Sequence, residues 1–157
     1  MSINPHVETL PAWISAGVRQ VVPMAELPDI FGKAFGEVAE AVGRCGAAVV
    51  GPAYGRYFGM PGETVDVEIG FGIDRVVDAP GRLLITEHPE TRAAVGTHIG
   101  PYDQLEGAYG EFMPWLAGQD LSLAEDMFEF YDSDPEVDPA ATVTRIVFPI
   151  VDGNTNR

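Results

Sequence analysis

The stretch GKAFGEV, residues 32–38, returns as EGAYGEF at residues 106–112. Ala34, Gly36 and Glu37 match Ala108, Gly110 and Glu111, and Phe35 becomes Tyr109, at an offset of 74 in a chain of 157 residues. The offset persists beyond this stretch, with Tyr54 falling on Phe128 and Tyr57 on Tyr131. An echo near half the chain length restricts the fold to units that can pack against their own copy.

The flanking patterns say what the unit is. Trp13 to Val22 is partly alternating and rich in β-branched residues, which reads as a strand. Asp29 to Arg44 places Phe31, Phe35, Val38 and Val42 at helical spacing, with Gly43 and Gly46 as stop signals. Gly51-Pro52 is read as a break, and Ala53 to Phe58 as a strand. After a turn at Gly59 to Gly62, Thr64 to Ile73 alternates cleanly. Val65, Val67, Ile69 and Phe71 lie on one face, and Asp66, Glu68 and Gly70 on the other. A connector with a turn at Asp78 to Gly81 follows, and Leu83 to Ile85 is read as a short strand.

The second half repeats the order. Thr91 to Ile99 reads as a strand, and Gly100-Pro101 presets a helix start. Tyr102 to Leu116 reads as a helix, with Pro114 tightening its last turn. Asp126 to Tyr131 and Thr142 to Ile150 read as strands around a loop at residues 132–139, and the tail DGNTNR as polar and loose. One β-α-β-β unit has too little core and leaves a sheet edge open. Two units about a pseudo-twofold axis pair strands and bury their helix stripes. The expected architecture is therefore α+β: one domain of tandem β-α-β-β units, residues 12–75 and 91–151, with an antiparallel sheet and two main helices. The seam between the halves is the natural place for a ligand cleft.

Composition narrows the partners. The hydrophobic fraction is 46% and the charged fraction 21%, as in globular chains. The net charge is −15, with Lys33 the single lysine beside eight arginines, so a phosphate backbone is repelled and direct nucleic-acid binding is not expected. Cationic partners are weakly favoured; the plain alternative is that acidity serves solubility. A single cysteine, Cys45, rules out an intrachain disulfide and fits a reducing cytoplasm. No signal-peptide pattern opens the chain, and no apolar run approaches about 18 residues, so no membrane span is expected. The three histidines, His6, His88 and His98, have no metal-ligand spacing, and no cofactor motif is present.

A combination of motifs in the second half goes further. HIGPYDQL from His98 to Leu105 is followed by Ala108-Tyr109, Trp115-Leu116, Phe128-Glu129-Phe130-Tyr131, Asp134-Pro135 and the strand from Thr142 to Pro149. This pattern resembles the GyrI-like family, the effector-binding domain of multidrug-responsive transcription regulators and of stand-alone relatives that include a gyrase inhibitor. The resemblance covers about residues 8–151. It implies a duplicated, SOUL-like β-α-β-β fold and an aromatic-lined pocket between the halves. It also implies a buried glutamate facing lipophilic cations, which by motif position is Glu129. Many members carry Trp before this glutamate; here it is Phe128. About a dozen residues precede the first expected strand, too few for a helix-turn-helix, so any transcriptional role is expected to run through a partner regulator or a homodimer, or by sequestering an effector.

Each candidate has a plainer alternative. Glu129 sits amid Met127, Phe128, Phe130 and Tyr131, where a carboxylate needs a reason. It is either an anionic anchor helped by cation–π contacts or an exposed group on an edge strand. Tyr57 and Tyr131 are repeat-mates that either flank the seam or pack ordinarily. Glu68 is expected by default on the solvated face, with a second acid in the cleft as the sharper alternative. Tyr102 and Trp115 either wall the pocket or, for Trp115, fill the core. His98 is expected to be a hydrogen-bonded structural group, and Cys45 to be inert. The favoured expectation is a protein that binds small lipophilic molecules, neutral or cationic, by sensing or sequestration, through Glu129, Tyr57, Tyr102, Trp115, Phe128, Tyr131 and Glu68. Two rivals stand beside it. One is a hydrolase of strained cyclopropane-type electrophiles, implied by some stand-alone relatives, in which Glu129 works with Tyr57 or Tyr102. The other is an acidic protein-interaction module such as a gyrase inhibitor.

Overall fold

The computed structural model describes residues 3–59, 62–79, 81–132 and 138–151, with the backbone alone at Tyr102 and Pro139. The expected turns at 59–62 and 78–81 and the loop at 132–139 fall partly outside the described residues, and the tail at 152–157 wholly so. In chain order the elements are β1 (His6–Leu10), β2 (Trp13–Pro23), α1 (Leu27–Arg44), β3 (Val49–Phe58), β4 (Thr64–Ile73), β5 (Leu84–His88), β6 (Thr91–Ile99), α2 (Leu105–Ala117), β7 (Asp126–Tyr131) and β8 (Val143–Pro149). Every pairing described below is antiparallel, so the class is α+β. No helix among the described residues is long and apolar enough to cross a membrane.

The chain divides into two compact units, one of residues 11–90 and one of residues 91–157 together with 1–10. In the first, β4 is central, between β3 and β2, and β5 adds to the outer edge of β2. Pro28 in the first turn of α1, Asp29 beside it and Arg44 in the last turn all suit the helix ends. Ala34, Val38 and Val42 recur every fourth residue and are buried. They pack with Val65, Val67 and Ile69 of β4 and Ala16 and Val18 of β2, the apolar face that alternation assigns. Burying each such Val or Ile contributes about 1.5–3 kcal/mol.

Two expectations for this unit need correction. Gly51-Pro52 does not break the chain but lies inside β3, where the β3–β4 register shifts between Val49 and Ala53. The irregularity accommodates a proline without a ladder N–H. A glycine is needed there as well, since a Cβ on Gly51 would lie 3.0 Å from the Gly72 backbone. The opposite face of β4 is not solvated either: Glu68 is only 2% exposed. Alternation correctly separated the two faces of β4 but said nothing of what covers the second.

In the second unit, β8 lies between β7 and β6, and β1 pairs along the outer edge of β6. Ala108, Phe112 and Leu116 of α2 are buried, again every fourth residue, against Ala94, Ile146 and Ile3. The expected helix from Tyr102 splits into a 3-10 turn at Tyr102–Gln104 and α2 proper, and Pro114 is held in the last turn. β1 had no sequence signal. Its five residues, HVETL, become a strand by pairing with Thr91 to Val95. Ile3, just before it, fills the α2 core and donates its N–H to Glu111 Oε2 at 3.1 Å.

Candidate functional site

The candidate site is built around the carboxylate of Glu129. Glu129 stands opposite Ile146 and Tyr131 opposite Thr144, and directly paired residues share a face, here the one that carries α2. Glu129 is 7% exposed. Its burial is compensated by phenols on both oxygens: Tyr131 donates to Oε1 at 2.7 Å and Tyr109, reaching down from α2, to Oε2 at 2.5 Å. An ionised carboxylate accepts only, so two O–H donors suit it. Met127 completes the rim, with its sulfur 3.9 Å from the Tyr109 hydroxyl.

The neighbours of Glu129 in sequence take other places. Phe128 lies on the opposite face of the sheet, stacked on Phe130 at 5.5 Å between centroids, with the Arg145 guanidinium 4.9 Å from the Phe130 centroid. Trp115 stacks on Phe112 at 5.9 Å and packs against the α2 core, its plainer reading. Tyr102 opens the 3-10 turn ahead of α2, and its side chain lies outside the described residues. The structural role expected of His98 is met: it is buried, and its Nε2–H donates to the Pro101 carbonyl at 3.0 Å, holding the turn that leads into α2.

Tyr109 was not among the residues singled out from the sequence, yet it hydrogen-bonds Glu129. The signal was present, because the sequence echo places Tyr109 where Phe35 stands, with the ring kept and a hydroxyl added. Phe35 packs on Phe71 at 5.2 Å in the first unit. What the repeat did not show is that β7 offers a carboxylate at the place the new hydroxyl reaches.

In the first unit, Tyr57 faces α1 opposite Val67 and packs on the core. Glu68 belongs to a different cluster, on the face turned away from α1. Tyr54 donates to Glu68 Oε2, and Arg56 Nη1 lies 3.7 Å from Oε1. Burial first, and then the Glu68 charge and hydrogen bond, push the Tyr54 phenol far above the ordinary tyrosine range. Ser15 hydrogen-bonds Tyr54 as well, and its Oγ lies 2.9 Å from His88 Nε2. Trp13 meets Tyr54 edge-on at 5.4 Å and stacks on His88 at 4.2 Å. Glycines clear the space: a Cβ on Gly17 would lie 2.5 Å from the Tyr54 hydroxyl and 2.8 Å from Glu68 Oε2. Glu68 thus has a guanidinium within its own unit. Among the described residues, no three His, Cys, Asp or Glu side chains come together as metal ligands.

The chain matches the model of the GyrI-like small molecule binding domain over residues 3–151. It belongs to the GyrI-like family. The EcmrR C-terminal domain has the same fold, with a TM-score of 0.83 and 21% identity over 97% of this chain and 99% of that one. SAV2435 bound to tetraphenylphosphonium is similar with a TM-score of 0.67 and 11% identity, over 94% of each chain. A hydrolase from Listeria innocua gives 0.69 and 16%, over 96% of this GyrI-like chain and 93% of the other. None of the curated proteins matches. The family assignment makes small-molecule binding the activity of the domain.

Proposed function

We propose that this GyrI-like chain binds lipophilic organic cations of several kinds, with Glu129 as the anionic anchor and Tyr109 and Tyr131 holding its carboxylate. The observation that carries this reading is the 7%-exposed Glu129 carboxylate, gripped on both oxygens by phenols on an apolar face. Keeping a carboxylate there costs desolvation energy, and a bound cation offsets that cost in a low-dielectric setting. Phenol rings beside the carboxylate add cation–π attraction. The tetraphenylphosphonium bound to SAV2435 is a ligand of this class. The output is sensing or sequestration of the bound molecule. We assign Glu68, with its own arginine, to holding the first unit together.

The same reading takes the two units as copies of one β-α-β-β segment. In support, each unit runs strand, helix, strand, strand with its last strand of the four between the other two. Tyr57 and Tyr131, 74 apart in sequence, both stand on the face that carries their unit's helix.

The test is binding of tetraphenylphosphonium and of neutral triphenylphosphine oxide to the wild type and to Glu129→Gln. The wild type should prefer the cation, and the variant should lose at least about tenfold in cation affinity, about 1.4 kcal/mol, since the direct attraction between a unit positive charge and a buried carboxylate is lost. The neutral compound should change little. Equal affinity of both proteins for the cation would remove Glu129 as the anchor.

A second reading has one observation in its favour. Glu129 and Tyr109 pair a carboxylate with a phenol 2.5 Å away, the base and acid needed to add water across a strained ring. The neighbour described as a hydrolase is of this fold. Steady turnover of a cyclopropane-type electrophile, abolished in Glu129→Gln, would replace binding by catalysis as the function.

A further inference from the structure

One polar atom near the site has no partner. Thr144 is fully buried in β8, and among the described residues its Oγ1 is the buried side-chain oxygen or nitrogen without a hydrogen bond. Leaving a buried hydroxyl unsatisfied costs about 1–3 kcal/mol, so such groups are normally paired. Its position is specific. Thr144 stands directly opposite Tyr131 on one side and opposite His98 on the other. It therefore shares the α2-side face with Glu129, diagonally across the β7–β8 ladder, where such neighbours lie about 7–8 Å apart. His98 is committed to the Pro101 carbonyl and Tyr131 to Glu129. The residues on this face thus use their polar atoms internally at every position named except Thr144.

We propose that Thr144 is a second, specificity-determining contact of the Glu129 site, and that the preferred ligands are lipophilic cations carrying a hydroxyl, carbonyl or ether oxygen a few bonds from the charge. This rests on the cation-binding role assigned to Glu129. The carboxylate selects charge, which many amphipathic amines and phosphonium ions share. The Thr144 hydroxyl selects among them, because it both donates and accepts and stays unpaired beneath a purely hydrocarbon arm. Because that hydroxyl is already unsatisfied without ligand, an oxygen that pairs with it adds affinity, and a ligand lacking one adds no new penalty.

The probes are butyltriphenylphosphonium and (3-hydroxypropyl)triphenylphosphonium, equal in charge and nearly equal in size. They differ by a terminal methyl against a hydroxyl. Affinities are measured by calorimetry for the wild type, Thr144→Val, Thr144→Ser and Glu129→Gln. The wild type should bind the hydroxypropyl compound about five- to tenfold more tightly, a difference of about 1 kcal/mol. Thr144→Val should erase the preference while keeping the butyl affinity, and without ligand it should melt no lower than the wild type, since an orphaned hydroxyl has been removed. Thr144→Ser should keep the preference. Equal wild-type affinities for the two probes, with both still dependent on Glu129, would overturn the role of Thr144 and leave the cation anchor standing. A preference that survives in Thr144→Val would place the polar contact elsewhere and overturn it too. Failure of both probes to bind the wild type would remove both readings together. If Thr144→Val does not fold, the wild-type comparison and Thr144→Ser decide.

Discussion

At the scale of single residues, both units bury a glutamate, and they do so differently. Glu129 is satisfied by two phenols, Glu68 by one phenol and a guanidinium. Removing one donor from either should leave buried acceptor capacity unmet, at about 1–3 kcal/mol. Tyr54→Phe is expected to lower the melting temperature without affecting cation binding. Tyr109→Phe should weaken both, because it loosens the carboxylate proposed as the cation anchor. Thermal melts paired with tetraphenylphosphonium titrations separate the two. Gly17→Ala is a stricter test of the Glu68 cluster, because a Cβ there would sit 2.5 Å from the Tyr54 hydroxyl. Crowding of this kind costs about 1–3 kcal/mol, and a melt indistinguishable from wild type would contradict the described packing.

Among the elements, β1 has a stability that should respond to pH near neutrality. The Asn4 carbonyl, and then Glu8, raise the pKa of His6 above its ordinary 6.5. The folded state therefore holds the His6 proton more tightly than the unfolded chain. Its contribution is complete below pH 6.5 and is lost as pH rises through the folded value. Both side chains are about 40% exposed, so solvent screening keeps the effect to a few tenths of a kcal/mol. Hydrogen exchange should show β1 amides opening more easily at pH 8 than at pH 6, with the difference reduced in His6→Gln. The reason β1 escaped the sequence reading is physical as well. Five residues of mixed polarity have no periodicity to detect, and their strand state comes from a partner more than eighty residues away. By contrast α1 and β4 were legible to within two residues, because period 3.6 or period 2 is strong along them, and β7 was legible from its run of aromatic and apolar residues.

For the whole molecule, the net charge of −15 is the dominant electrostatic fact. Ion pairs such as Arg19–Asp66 and Arg82–Glu37 offset it locally: hydrogen bonds from each guanidinium hold the partner carboxyl below its ordinary pKa. The excess of like charge still opposes compaction. Added salt should therefore raise the melting temperature between roughly 10 and 150 mM, as the Debye length shrinks from about 30 to about 8 Å. The rise should then level off. A flat or falling dependence over that range would mean that attractive pairs, rather than net repulsion, set the electrostatic balance.

The sequence by itself determined the class of elements, the order of all of them except β1, the helix faces and the family. Those properties rest on local periodicity, turn chemistry and a motif combination that survives without coordinates. It also singled out Glu129 and Tyr131, because a carboxylate inside an apolar run is conspicuous in one dimension. Only the tertiary structure decided which groups meet that carboxylate. Tyr109 comes from a helix 20 residues earlier, and the packing of α2 on the sheet brings its hydroxyl to Glu129. The same holds for Glu68, whose burial depends on rings from β2 and β3 closing over a face that alternation alone assigns to solvent. Side-chain period is a local property of the chain, whereas burial and hydrogen-bond partnership are properties of what packs against it.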